Sequence, residues 1–228
     1  MLILKDSPLQ FDQRDDFDVT TMNLPALKRP NVPTVRRFTL EDYYRLGELG
    51  FFKEHDRVEL IRGELVDMAA KGRLHEVCLT KLIRELLKLV CDWATIRCQS
   101  PITLPSTSEP EPDFTIVKNR PDDYLASHPH PEDVLLVIEI SDSSLSYDQE
   151  TKLSLYAEYG IQNYWIFNLI ESVLETYSEP YQKFQGFSYR IKRVFSPNEA
   201  VPVELRSALN ALPYFSDLIL ELSRVFPQ

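Results

Sequence analysis

The sequence predicts an α/β fold in which a mixed sheet forms the core and helices flank it. Three observations carry this expectation. Val134-Leu-Leu-Val-Ile-Glu-Ile140 is an apolar run broken by one carboxylate, the pattern of a central strand covered on both faces. A helical pattern and a second apolar run, Asn163-Tyr-Trp-Ile-Phe-Asn168, follow it, so the unit reads as strand, helix and parallel strand with a right-handed crossover. Between Leu74 and Trp93 apolar residues recur at helical spacing, which predicts a long helix with one buried face.

Along the chain, residues 1–33 show no hydrophobic period, carry the acidic pair Asp15 and Asp16, and end among Pro25, Pro30 and Pro33. They read as a loosely ordered tail or docking arm ahead of one domain over 34–228. Thr39, with Asp42 three residues on, is a plausible N-cap for a helix that stops at Gly50. Arg57 to Ile61 and Glu64 to Met68 read as two short strands joined at Arg62-Gly63. On the long helix the stripe is taken as Leu74, Val77, Cys78, Leu82, Ile83, Leu86, Leu87 and Val90. Strands are expected over Thr95–Leu104 and Asp113–Val117, and a helix from about Asp148 to Tyr159 that ends at Gly160. Beyond about residue 179 the chain reads as a C-terminal extension, with β-like segments over Glu171–Tyr177 and Phe187–Phe195 and a helical patch around Phe215–Leu222.

The charge narrows the function. The 228 residues carry a formal charge of -10, which argues against a basic, charge-driven nucleic-acid binder. The excess sits between residues 34 and 178, where 25 acidic side chains face 15 basic ones. No apolar run approaches the roughly 20 residues of a membrane span, no secretion signal is apparent, and Cys78, Cys91 and Cys98 match no zinc spacing. A cytoplasmic protein with reduced thiols and no membrane partner is expected.

Two carboxylates stand out by position. Asp113 opens a predicted strand, and Glu139 lies near the end of the most apolar one, where an unpaired charge is expensive to bury. A hard cation such as Mg²⁺ would offset that cost, held by Asp113, Glu139 and the carbonyl of Ile140; an internal Arg or Lys is the other solution. Lys152 shares a helix face with Tyr156 and is either a solvated helix lysine or one that reaches the strand ends, where it could orient an attacking water. Lys81, Arg84 and Lys88 form a basic row opposite the apolar stripe, which could track a phosphate backbone or simply face solvent.

Several linked segments carry a resemblance. Asp56-Arg-Val-Glu-Leu-Ile-Arg-Gly-Glu-Leu-Val-Asp-Met68, His75 at a helix start, Glu111-Pro-Asp113, Leu136 to Ser141, Asp148 to Lys152 and Tyr156 to Trp165 together resemble the Uma-two family, described as restriction endonucleases and long a domain of unknown function. The resemblance implies a restriction-endonuclease-like PD-(D/E)XK fold, in which Pro112-Asp113 supplies the PD and Glu139 the following acid. Ser141 stands where the motif lysine would be, and Lys152 is the residue that takes over its role. Glu64 matches a glutamate characteristic of the family and is expected to join the metal shell or hold its water. His75 occupies a family position near the site, either as an accessory catalytic group or as a helix-end residue. The implied activity is Mg²⁺- or Mn²⁺-dependent hydrolysis of phosphodiesters, with DNA as the expected substrate and a homodimer as the expected assembly. Two other readings stay open: a non-catalytic interaction module that uses aromatic surface from Tyr156 to Trp165, and a metal-dependent hydrolase of a small phosphorylated molecule.

Overall fold

The computed structural model describes residues 33–90, 93–203, 205 and 218–227. The expected arm over 1–33 lies outside this set apart from its last residue, as does Cys91. Helix α1 (Leu40–Glu48) begins where the sequence places it, with Thr39 and Asp42 forming a reciprocal capping box. Strands β1 (Val58–Ile61) and β2 (Glu64–Asp67) pair antiparallel around Arg62 and Gly63. Both turn residues have positive φ, 49° and 77°, which gives the tight hairpin its hand. A Cβ at Gly63 would stand 2.5 Å from Cβ of Arg37 and 2.8 Å from the carbonyl of Phe38, so the turn is also pressed against the incoming chain.

Helix α2 (Arg73–Val90) packs on one face of a six-stranded sheet. In spatial order the sheet is β3 (Ala94–Cys98), β4 (Phe114–Lys118), β5 (Val134–Ser141), β6 (Asn163–Asn168), β7 (Val173–Gln182) and β8 (Phe187–Phe195). Only β5 and β6 run parallel, which makes the sheet mixed. Their connection contains α3 (Leu145–Tyr147), a single π-helical turn over Asp148–Lys152 and α4 (Leu153–Glu158). Helix α4 covers the second face, where Leu155, Tyr156 and Ala157 meet Val137, Tyr164 and Ile166. On the α2 face, Cys78, Leu82 and Leu86 meet Phe114, Ile116, Leu136 and Ile138. Every residue of β5 and β6 is buried, as their apolar composition requires.

Three expectations change. The buried stripe of α2 is His75, Cys78, Leu79, Leu82, Glu85, Leu86 and Val90, whereas Leu74, Val77 and Leu87 are about half exposed. Two polar residues turn inward because each has a partner there: His75 meets Asp113, and Glu85 pairs with Lys88 and Arg224. Within the predicted C-terminal helical patch, Ile219–Glu221 forms a strand, β10, antiparallel to β9 (Ala200–Pro202); residues 215–217 lie outside the described set. The aromatic segment Tyr156–Trp165 is no surface: Tyr156, Tyr164 and Trp165 are buried, and Tyr164 packs among Tyr156, Tyr177 and Tyr189. Among the described residues no helix is long and apolar enough to cross a membrane.

Candidate active site

Sheet topology brings the two singled-out carboxylates together. Strands β4 and β5 run antiparallel with Phe114 opposite Ile138, so Asp113, one residue before β4, falls beside Glu139 near the end of β5. The backbone amide of Asp113 donates to Oε2 of Glu139 at 3.3 Å. The side chain of Asp113 takes over where the ladder stops: its Oδ2 accepts from the amide of Ile140 at 2.9 Å and lies 2.9 Å from Nε2 of His75. Gln99 donates to Oδ1 at 3.3 Å. In a strand the N–H and C=O of one residue point the same way, so the carbonyl of Ile140 also faces the side that Asp113 occupies.

The π turn delivers the cation. Nζ of Lys152 donates to Oε1 of Glu139 at 3.0 Å and to Oε1 of Glu59 at 3.1 Å. Tyr156, one turn further, donates to the same oxygen of Glu139 at 2.9 Å. Glu59 is held in turn by the backbone amide of Glu111 at 2.7 Å. At the start of the π turn Asp148 accepts from Ser141 and Ser144, each at 2.7 Å. Ser141, which the resemblance aligns with the motif lysine, therefore anchors the opposite end of the turn from which Lys152 reaches in.

Among the described residues, three buried carboxylates, Glu59, Glu139 and Asp148, thus act on the buried ammonium of Lys152, and a fourth, Asp113, lies on the other side of Glu139. Their mutual proximity decides the proton affinities. Burial pushes the Glu139 carboxyl up to about 8, because the neighbouring ammonium only partly offsets the lost hydration and the nearby acids. Burial likewise raises Asp148, against the pull of Lys152 and the two serines. Burial acts to discharge Lys152 as well, but the carboxylates of Glu139, Glu59 and Asp148 outweigh it and keep the lysine cationic. Asp113 is the exception: burial raises it, yet the hydrogen bond and charge of His75 and the amide of Ile140 hold it below the usual carboxylate range.

The cluster opens into a cavity of about 290 Å³ lined by Asp113, Glu139, Ile140, Lys152, Glu59 and His75, together with the loops that follow β2 and β5. Among the described residues no three His, Cys, Asp or Glu side chains converge as a preformed metal cage. The donors present are two carboxylates and a main-chain carbonyl, all hard oxygens, set in a surplus of negative charge. That set fits Mg²⁺ or Mn²⁺, ions that take one or two protein carboxylates and complete their shell with water and phosphate oxygens.

Not every residue singled out from the sequence converges here. Asp113, Glu139, Ile140, Lys152 and His75 do. Glu64 does not line the cavity: it is largely exposed and forms an ion pair with Arg37 at 2.5 Å. The basic row on α2 is also elsewhere, and partly engaged. Lys81 donates to the carbonyl of Phe226 at 2.8 Å, Lys88 pairs with Glu85 at 2.6 Å, and Arg84 is exposed. Glu59 is the residue that sequence reasoning missed. Its signal was present, since it interrupts the apolar run Val58-Glu-Leu-Ile61 as Glu139 interrupts its own strand.

The family model described as "Uma2: Putative restriction endonuclease" matches residues 40–211. A crystal structure titled as that of "a putative nuclease belonging to DUF820" from Anabaena variabilis ATCC 29413 superimposes with a TM-score of 0.60, at 16% identity, over 83% of this chain and 97% of that chain. At that identity the likeness concerns the fold. The curated proteins contain no match.

Proposed function

The chain belongs to the Uma2 family, and from that premise we propose that it is a divalent-metal-dependent nuclease that hydrolyses phosphodiester bonds, with DNA as its substrate. The observation that supports this most directly is the buried meeting of Asp113, Glu139 and Lys152 on one cavity, at the carboxyl end of β5 beside the opening of β4. Asp113, Glu139 and the Ile140 carbonyl would hold Mg²⁺ or Mn²⁺. When bound, such an ion supplies charge neutralisation at the scissile phosphate and acidifies a coordinated water.

The side chains divide the remaining work. An ammonium has three N–H donors; Lys152 commits two of them to Glu139 and Glu59, which fixes its position and leaves the third to hold the attacking water. Tyr156 locks the inner oxygen of Glu139, which leaves the outer oxygen, held among the described residues only by a long backbone contact, as the one that would serve a cation. His75 and the Ile140 amide both grip Oδ2 of Asp113, which leaves Oδ1 with only Gln99. Glu59 acts through Lys152 and is a positioning residue.

The net charge of -10 supports a strict need for the cation, because the bare cavity would repel phosphate. The test is incubation with single- and double-stranded DNA and RNA in Mg²⁺ or Mn²⁺, beside Glu139→Ala and Lys152→Ala. Metal-dependent cleavage of DNA by the wild type, lost in both variants, is expected. Cleavage that persists undiminished in both removes the proposal, and cleavage confined to RNA replaces its substrate.

A further inference from the structure

Of the polar side chains that line the cavity outside the cluster, among them Asp67, Glu111 and Asp142, two are part-buried donors without a partner among the described residues. Tyr147, at the end of α3, has a buried hydroxyl with no hydrogen-bond partner among the described residues, although Glu59, Lys152 and Asp148 lie around it. A polar atom left in this way costs stability unless a water, an ion or a ligand reaches it. Lys71, on the loop after β2, is part-buried against the same space and forms no ion pair or hydrogen bond among the described residues; Asp113 and Glu111 act on it only at a distance. The loop carrying Lys71 lies close to the loop between β5 and α3, at whose far end Tyr147 stands, since a Cβ at Gly72 would come within 3.2 Å of Oδ2 of Asp142.

Both groups are donors. Burial pushes the phenol of Tyr147 up to about 12, so it keeps its proton at ordinary pH. The phenol can also accept, but the ammonium only donates, so a ligand that meets both at once presents acceptor oxygens, and one that also neutralises the ammonium is an anion. A carboxylate-lined cavity admits such a group only where a cation and these two donors gather it.

We propose that Lys71 and Tyr147 form a phosphate grip, one from each rim of the cavity, that binds a non-bridging oxygen of the substrate's phosphate ester. The assignment rests on the phosphodiesterase reading and adds substrate-binding residues that no nuclease motif designates. Neither residue acts on the water or the metal, so their loss weakens binding more than turnover.

The test uses the full chain with Mg²⁺ and deoxythymidine 3′,5′-bisphosphate as the probe, in wild type, Tyr147→Phe and Lys71→Gln. Calorimetry is expected to show the dissociation constant raised about tenfold in each variant, the scale of one hydrogen bond to a charged group. On a DNA oligonucleotide KM should rise by a similar factor while kcat stays within about twofold, since such contacts contribute uniform binding. Ligand-free Tyr147→Phe should melt no lower than wild type, because the deleted hydroxyl has no partner. Unchanged affinity in both variants, or a clearly lower melting temperature in ligand-free Tyr147→Phe, overturns the grip and leaves the nuclease reading intact. Failure of the wild type to bind the bisphosphate overturns that reading, and the grip with it.

Discussion

Glu139→Gln should make the metal-free protein more stable while destroying its activity. In the folded protein burial pushes the Glu139 carboxyl from its ordinary 4.5 up to about 8. The folded state then holds a proton that the unfolded chain releases more readily, so stability must fall as pH rises from about 4.5 to about 8. The gap of about 3.5 pH units, at about 1.36 kcal/mol each, sets an upper limit of roughly 5 kcal/mol on the cost of carrying this charge at alkaline pH. Glutamine keeps an oxygen for Lys152 and Tyr156 and carries no charge. Lys152 then loses one of its two carboxylate partners, which returns part of the gain. In EDTA at pH 8.5 we expect the variant to be about 2–3 kcal/mol more stable than wild type by urea denaturation, and about equal to it at pH 4.5, where Glu139 is already neutral. Excess Mg²⁺ should narrow the difference, because it stabilises only the protein that binds it. Parallel pH profiles for the two proteins, or a variant less stable at pH 8.5, would refute the view that Glu139 is an over-buried charge waiting for a cation.

Three further outcomes follow from the same geometry. Lys152→Met strands Glu139 and Glu59 without their shared ammonium and should cost about 3–5 kcal/mol at pH 8 in EDTA, with part of the loss recovered at pH 5, where Glu139 is protonated; urea melts at the two pH values check this. Asp113→Asn should abolish the rise in melting temperature that millimolar Mg²⁺ gives the wild type, measured by differential scanning fluorimetry; a retained rise would place the ion elsewhere. Gly63→Ala should lower stability by at least about 1–3 kcal/mol in thermal denaturation, since the residue sits at φ 77° with Arg37 and Phe38 against the place of a Cβ.

Local signals were legible where local physics decides the outcome. The capping box at Thr39 and Asp42, the Arg62-Gly63 turn and the boundaries of Phe187–Phe195 follow from side-chain chemistry within a few residues. The apolar run of β5 announced a buried strand, and its lone glutamate announced that something had to meet it. Lys152, which meets it, stood out as a residue able to reach the strand ends; the second carboxylate that this lysine binds was not legible. Glu59 and Lys152 are 93 residues apart, and their contact exists only because the β1–β2 hairpin lies over the crossover from β5 to β6. The phase of α2 was misjudged for a related reason: hydrophobic spacing treats His75 and Glu85 as outward residues, yet partners on other elements draw both inward. Glu64 attracts notice beside the hairpin glycine, and the register, Ile61 opposite Glu64 and Glu59 opposite Val66, puts it on the same face as Glu59; it sits at the turn end beside Arg37, whereas Glu59 lies further along the hairpin, at Lys152.

The π turn at Asp148–Lys152 has a consequence for how this site can be lost. A π turn holds one residue more than an α turn, and each helical residue advances about 100° around the axis. Deleting Gln149, Glu150 or Thr151 would let the helix close regularly, leaving α4 seated on the sheet while swinging either Asp148 or Lys152 away from Glu139. Every side chain of the candidate site would still be encoded. Competence here is therefore written in spacing as well as in residue identity, and a single codon lost or gained would separate a working site from a well-folded, silent one.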